Sequence, residues 1–354
     1  QPPSERPTSL NGPLTFQFPS ILSDSDLPLN NLCCLLHRSS FDNFTMNVLK
    51  ICVATLVASF ATFTAASAVP CSATKTIDAN KVLVADALDA FFNERNASAV
   101  DTYIGTEYLQ HNPSVKDGPG ELKAFIGMFN SSSKFELGAQ AAEGDLVWTH
   151  GRYTGIPGLP TMIIVDIFRM KDGKAVEHWD IAQQEVPVAQ TASGRPMFPI
   201  MPSATPVPVI RGCGDASAST PTCESKETLE ANKKLAANAL DAFFNRRDVS
   251  AVDKYVGGEY LQHNPAVPDG AEDLKVFIST FNSTSKFELG VQVAEADLVW
   301  THGRYTDIPG LPVMIIVDVF RVKNGKLVEH WDIAQQEVPV SQTASGRPMF
   351  PIEA

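Results

Sequence analysis

The 354-residue chain is short of positive charge: 28 Lys and Arg stand against 40 Asp and Glu, a net charge of −12, with no basic run or stripe. That balance argues against nucleic acid or an anionic membrane as partner. Several chemical signatures are also missing. There is no P-loop, no G-x-G-x-x-G, no G-x-S-x-G and no Ser-His-Asp context. Nucleotide cradles and serine hydrolases of the usual kinds are therefore not expected. Histidines and carboxylates occur, but without metal-ligand spacing, so neither a metal nor an organic cofactor is expected. Composition argues against long disorder as well, because 44% of residues are hydrophobic.

Cysteine is sparse, with 6 in all. Residues 1–45 show no sustained period and contain no Met; the first is Met46. From there "MNVLKICVATLVASFATFTAASA" reads as a secretory signal over 46–68, with Lys50 ahead of an apolar run and Ala66-Ser67-Ala68 as cleavage site. A membrane anchor is the rival reading, though the Ala, Thr and Ser content favours cleavage. Residues 1–45 are then upstream sequence, and the product is secreted, extracellular and without a membrane segment once the signal is removed. Cys71, Cys213 and Cys223 would remain, an odd number; Cys213–Cys223 and Cys71–Cys223 are both open as pairings. Asn96, Asn130 and Asn282 fit the glycosylation acceptor pattern.

What is abundant is repetition. Residues 103–200 and 255–352 align without gaps at an offset of 152, with 77 of 98 positions identical. A unit of this length is a copied domain, since solenoid repeats are much shorter. Domain one spans 76–200, a Pro/Ser/Thr-rich linker 201–225, and domain two 226–354. In each copy helices come first. Leu83, Ala87, Leu88 and Phe91 share a helical face, as do Leu235, Ala239, Leu240 and Phe243. Ser98 and Ser250 are placed to cap a short second helix, and Leu122, Phe125, Ile126 and Phe129 mark a third. Four strand-like runs follow, the last two joined through Asp172-Gly173 and Asn324-Gly325, a strong hairpin signal. The expected fold class is α+β, with N-terminal helices packed on a curved antiparallel sheet whose concave side forms a pocket.

"VEHWDIAQQEVPV" occurs from Val176 and again from Val328. In a strand, His178 and Asp180 share one face and Trp179 and Ile181 the other. Together with "YLQHNP", "THGRY" and "VDIFR" or "VDVFR", this set resembles SnoaL-like proteins of the NTF2-like superfamily, relatives of polyketide cyclases and of predicted aldol-condensation enzymes. The resemblance covers nearly all of each repeat and implies two tandem cone domains. It implies a general acid/base role for Asp180 and Asp332, with His178 and His330 beside them. It also implies that His111 and His263, in the "QHN" segment, stand at the pocket mouth. The family contains non-catalytic members too.

An aldol or isomerisation step needs a base beside a carbonyl and a donor for the enolate oxygen; a desolvated carboxylate and a neutral His, Gln or Tyr supply both. The expected partner is a small apolar carbonyl compound. Each residue also has a plainer reading. Asp180 can be solvated or paired with Arg152 or Arg169, His178 can be structural, and His111 can cap a turn. His150 and His302 are as readily outward-facing, and Trp148, Trp179, Trp300 and Trp331 are sheet-packing aromatics. "QTASGRPMFPI", at Gln190–Ile200 and Gln342–Ile352, is expected as an extended tail contributing to an intramolecular pseudo-dimer. Two function classes stay open alongside the enzyme: a non-catalytic small-molecule binder and a protein-interaction module.

Overall fold

A computed structural model describes residues 71–201 and 225–353. Residues 1–45, the segment at 46–68 expected as a signal, most of the linker and Cys213 and Cys223 lie outside them. In the first repeat, α1 (Cys71–Leu88) runs on through a wider turn to Asn93 and is followed by α2 (Val100–Tyr103) and β1 (Ile104–Gln110). Then come α3 (Pro119–Ile126), β2 (Lys134–Glu143), β3 (Leu146–Thr154), β4 (Met162–Lys171) and β5 (Lys174–Gln184). The second repeat matches it with α4 (Lys226–Leu240), α5 (Ala251–Tyr255), β6 (Val256–Gln262), α6 (Ala271–Ser279), β7 (Lys286–Glu295), β8 (Leu298–Thr306), β9 (Met314–Lys323) and β10 (Lys326–Gln336). No helix among the described residues is long and apolar enough to cross a membrane.

Each sheet has five strands, in the orders β1-β5-β4-β3-β2 and β6-β10-β9-β8-β7. The meander β2–β5 is antiparallel, as the hairpin signals require; Asp172 and Gly173 both take positive φ, which fits a tight two-residue turn. β1 departs from the all-antiparallel expectation and pairs parallel with β5. Its crossover contains α3 and the rest of the meander, long enough for a parallel return. The caps also differ from expectation. Asn96 Oδ1, not Ser98, accepts the free N–H, at 3.1 Å from Ser98 N, and Asp248 does the same for Ser250 at 3.1 Å.

Strand alternation separates two cores in each repeat. The concave face packs on the helices through Val84, Leu88, Phe91, Leu122, Ile126, Tyr153 and Phe168. The outer face carries Trp148, Ile163, Val165, Ile167, Trp179 and Ile181, and it meets the same set of the second repeat in one continuous core. Trp148 and Trp300 meet edge to face, centroids 6.5 Å apart. Polar groups at this seam are exchanged reciprocally. Glu295 accepts Ala142 N–H at 2.9 Å and Glu143 accepts Ala294 N–H at 3.2 Å. Gln335 accepts Ala182 N–H and Gln183 accepts Ala334 N–H, at 2.8 and 2.9 Å. These are strand N–H groups that would otherwise lack partners. Each tail, after β5 or β10, crosses to the opposite repeat: Ala192 N–H bonds to Pro265 O and Ala344 N–H to Pro113 O, both at 2.8 Å.

Candidate functional site

The inner face of β4 and β5 holds a buried acid cluster. Asp166 and Asp180 are cross-strand partners on these neighbouring strands, and His178 lies two residues before Asp180. Period-two alternation points all three into the cone while Trp179 goes to the outer core. β3 adds Thr149 and Tyr153 from the other side. Asp166 Oδ2 accepts from Tyr153 Oη at 2.5 Å and from Thr149 Oγ1 at 3.3 Å. Its Oδ1 faces His178 Nε2 at 3.2 Å.

β1 and its exit loop complete the cluster. Gln110 Oε1 already accepts Asn112 N–H at 3.0 Å, and it lies 2.8 Å from His178 Nδ1, so Nδ1 is the donor there. This fixes the ring and turns Nε2 toward Asp166. Asn112 Oδ1 accepts Ser114 N–H at 2.7 Å, which turns its Nδ2 toward Asp180 Oδ2, a 2.6 Å contact. The second N–H of that amide is left over. Asp180 Oδ1 is buried with no hydrogen-bond partner, and Asp332 Oδ1 repeats the situation.

Electrostatics follow from this enclosure. Burial pushes the Asp180 carboxyl up to about 6; the Asp166 charge adds to the rise, while His178 and the Asn112 bond oppose it. Burial raises Asp332 as well. The Tyr108 and Tyr153 hydroxyls are held protonated well above their ordinary range, by burial first and then by Asp166 and Asp180. The second repeat reproduces the contacts: Tyr305 to Asp318 at 2.6 Å, His330 to Asp318 at 3.1 Å, His330 to Gln262 at 2.8 Å and Asn264 to Asp332 at 2.6 Å.

Of the residues singled out in the sequence, Asp180 and His178 come together, as do Asp332 and His330. His111 and His263 do not join them, contrary to the pocket-mouth expectation. Each follows an inward-facing Gln by one residue, so alternation sends it outward. His111 stacks on Trp179 at 4.4 Å and its Nε2 meets Glu177 at 3.0 Å; His263 stacks on Trp331 at 4.4 Å and meets Glu329 at 3.0 Å. Arg152 and Arg169 leave Asp180 alone and pair instead with Glu185 and Glu177. His150 and His302 face outward and are fully buried, stacked on Phe198 and Phe350. The sequence reading missed Asp166, Tyr153, Gln110 and Asn112. The signal for Asp166 was present, a lone charge inside the apolar run "MIIVDIF".

Asp166, His178 and Asp180 also offer ligand atoms that all lie within 4.8 Å of one another, as do Asp318, His330 and Asp332. A cation there would have to break the contact between His178 Nε2 and Asp166. An open depression of about 550 Å³ lies elsewhere, lined by Asn93, Lys134, Phe135, Glu136, Arg152 and Thr154. The inner-face positions beyond Asp166 and Asp180, Ile164 and Ala182, keep partial exposure, together with Leu159, Phe125 and Phe129.

Family models match each of the two repeats. Residues 84–178 match the SnoaL-like domain family and residues 234–342 match the SnoaL-like polyketide cyclase family. Among solved structures, TsrD from Streptomyces laurentii is 25% identical, covering 30% of this chain and 89% of that one, with a TM-score of 0.26. An NTF2-like protein from Mesorhizobium loti is 20% identical, covering 30% and 92%, with a TM-score of 0.27. Another NTF2-like protein, from Burkholderia xenovorans, is 16% identical over 31% and 87%, at 0.28. No match is found among curated proteins. With two five-stranded α+β cones in one chain and a SnoaL-like match to each, the protein belongs to the SnoaL-like family of NTF2-like fold, as two domains in tandem.

Proposed function

We propose that the chain is a secreted enzyme that moves a proton on a small carbonyl compound, in a cyclase, isomerase or aldol reaction, without an organic cofactor. The observation that carries this reading is the unpartnered Asp180 Oδ1, on a buried carboxyl whose ionisation lies near 6. A carboxylate poised there is a competent base near neutral pH. Oδ1 takes the proton from the carbon beside the carbonyl; the C–H electron pair forms the enolate C=C bond and the C=O π pair moves onto the carbonyl oxygen. The free N–H of Asn112, or the hydroxyl of Tyr108, donates to that oxygen. The enolate carbon then either takes the proton back at a new position or attacks a second carbonyl. In the second case the Asp180 carboxyl protonates the resulting alkoxide. His178, with both ring nitrogens engaged, holds Asp166 and biases Asp180. Asp332, Asn264, Tyr260 and His330 would do the same in repeat two. Secretion is supported by the signal-like segment at 46–68.

One observation favours a binding protein: the cluster is almost enclosed, with Asp180 only 8% exposed. An interaction module is less well supported, because the apolar outer faces are already used against each other. The test is native mass spectrometry of the chain after exposure to extract of its own culture medium, beside the Asp180→Asn/Asp332→Asn double variant. Conversion of a small carbonyl compound by wild type, with mere retention by the variant, supports the enzyme. Unchanged ligand on both makes it a binder.

A further inference from the structure

The duplicated tail is not used by the chemistry above, yet it reaches the loop that carries each site's donors. In repeat one that loop leaves β1 at Gln110 and runs to Asp117. Gln110 orients His178 and Asn112 holds Asp180. Three contacts from the tail of repeat two grip it. Ala344 N–H bonds to Pro113 O at 2.8 Å. His111 Nδ1 donates to Pro348 O at 2.6 Å. Arg347 Nε bonds to both oxygens of Asp117 at 3.1 and 2.9 Å. Asp117 Oδ1 in turn accepts the backbone N–H of Gln110 at 2.8 Å.

Repeat two is gripped in the same way by the tail of repeat one. Arg195 Nε bonds to Asp269 at 2.9 and 2.8 Å, and Asp269 accepts Gln262 N–H at 2.8 Å. His263 Nδ1 donates to Pro196 O at 2.6 Å, and Ala192 N–H bonds to Pro265 O at 2.8 Å.

We propose that the two sites are cross-wired: Arg347 is a positioning residue for the Asp180 site, and Arg195 is one for the Asp332 site. The wiring runs Arg347, Asp117, Gln110, His178, with Asn112 carried on the same loop. It rests on the proposed role of Asp180 and Asp332, but its test needs no substrate. Both arginines are about one-third exposed, at 35%. Ion pairs of that exposure add little to global stability. Removing one therefore loosens the loop it holds and leaves the cone folded.

The experiment is hydrogen–deuterium exchange on the full chain carrying Arg347→Ala or Arg195→Ala. Arg347→Ala speeds exchange in Tyr108–Gly118 by about tenfold and leaves Tyr260–Gly270 at the wild-type rate; Arg195→Ala does the reverse. Carbon-13 carboxyl titration gives a second readout, with Asp180 assigned by its loss in Asp180→Asn. Asp180 is faced by His178 on its own strand, Asp166 from β4, Tyr108 and Asn112 from β1 and its loop, and Tyr153 from β3. As Asn112 retreats, the Asp180 midpoint rises in Arg347→Ala by about half a pH unit or more, and Asp332 stays put. Arg347→Lys, which keeps the charge but not the fork, restores part of both changes. Exchange that rises in both loops equally, rises in the arginine's own repeat, or does not change would each overturn the wiring, as would an unmoved Asp180 midpoint. Turnover that survives Asp180→Asn/Asp332→Asn would instead sink the functional reading and leave the crossed exchange pattern standing.

Discussion

Two buried groups in each repeat drive the pH dependence of stability in opposite directions, and substitution separates them. His150 sits between the repeats with neither ring nitrogen partnered, and burial lowers its ionisation to about 3; His302 is likewise lowered to about 3. A free histidine titrates near 6.5, so below that pH the unfolded chain binds protons that the folded chain refuses. Stability then falls as pH drops, by about 1.4 kcal/mol per pH unit for each histidine. Asp180 works the other way. Its folded value of about 6 lies above the ordinary 3.8, so between those limits the folded chain binds the extra proton. Stability rises on acidification there by the same order, about 1.4 kcal/mol per unit. In repeat one the two slopes nearly cancel between pH 6 and 4.5, and the upward shift of Asp332 opposes His302 in repeat two.

The perturbations are His150→Phe/His302→Phe and Asp180→Asn/Asp332→Asn. The first unmasks the carboxyls: on going from pH 6 to 4.5, Asp180 alone adds about 1.5 kcal/mol, with Asp332 acting in the same direction. The second unmasks the histidines and loses about 4 kcal/mol over the same window. The assay is urea unfolding at half-unit pH steps, followed by fluorescence of the four tryptophans, all buried. Measurement stops at pH 4.5 because Glu177 and Glu329, held low by His and Arg partners against the cost of burial, begin to lose stability below their ordinary range. Parallel pH profiles for wild type and both variants would refute the reasoning.

Tyr153→Phe removes the 2.5 Å hydroxyl donor of buried Asp166 and should cost about 1–3 kcal/mol by chemical denaturation. Trp148→Ala, at the seam against Trp300, should cost about 3–5 kcal/mol in the same assay. Gly138 sits at a bulge in β2, where an added Cβ would lie 2.5 Å from the Phe198 ring. Gly138→Ala should therefore lift the tail around Phe198, seen as faster limited proteolysis near Arg195; an unchanged cleavage rate there would show that the tail does not depend on that contact.

The fold was legible because its signals are local. Asp172-Gly173 and Asn324-Gly325 set the last hairpins, and strict alternation through "EHWDI" sends Trp179 outward and Asp180 inward. The parallel pairing of β1 was not legible, since it joins segments about 70 residues apart and no turn residue announces it. For the site, the within-strand pair His178 and Asp180 could be read, while Asp166 required the β4–β5 register. His111 was misplaced by its motif, though its position directly after Gln110, the last residue of β1, already separated them: alternation carried one residue past the strand turns it to the other face. The caps were set two residues late because Asn96 and Asp248 reach forward to the serines' N–H groups.

The seam between the repeats has an evolutionary consequence. In a dimer of separate identical chains, any substitution at the symmetric interface arrives twice and meets itself. Here each half is encoded separately, so a change in one half meets the unaltered other half. Ala141 and Val293, matching positions of the two repeats that both belong to the shared core, are such an asymmetry. The same freedom extends to the chemistry: one cone can drift toward a new substrate, or lose its acid, while its tail goes on serving the other.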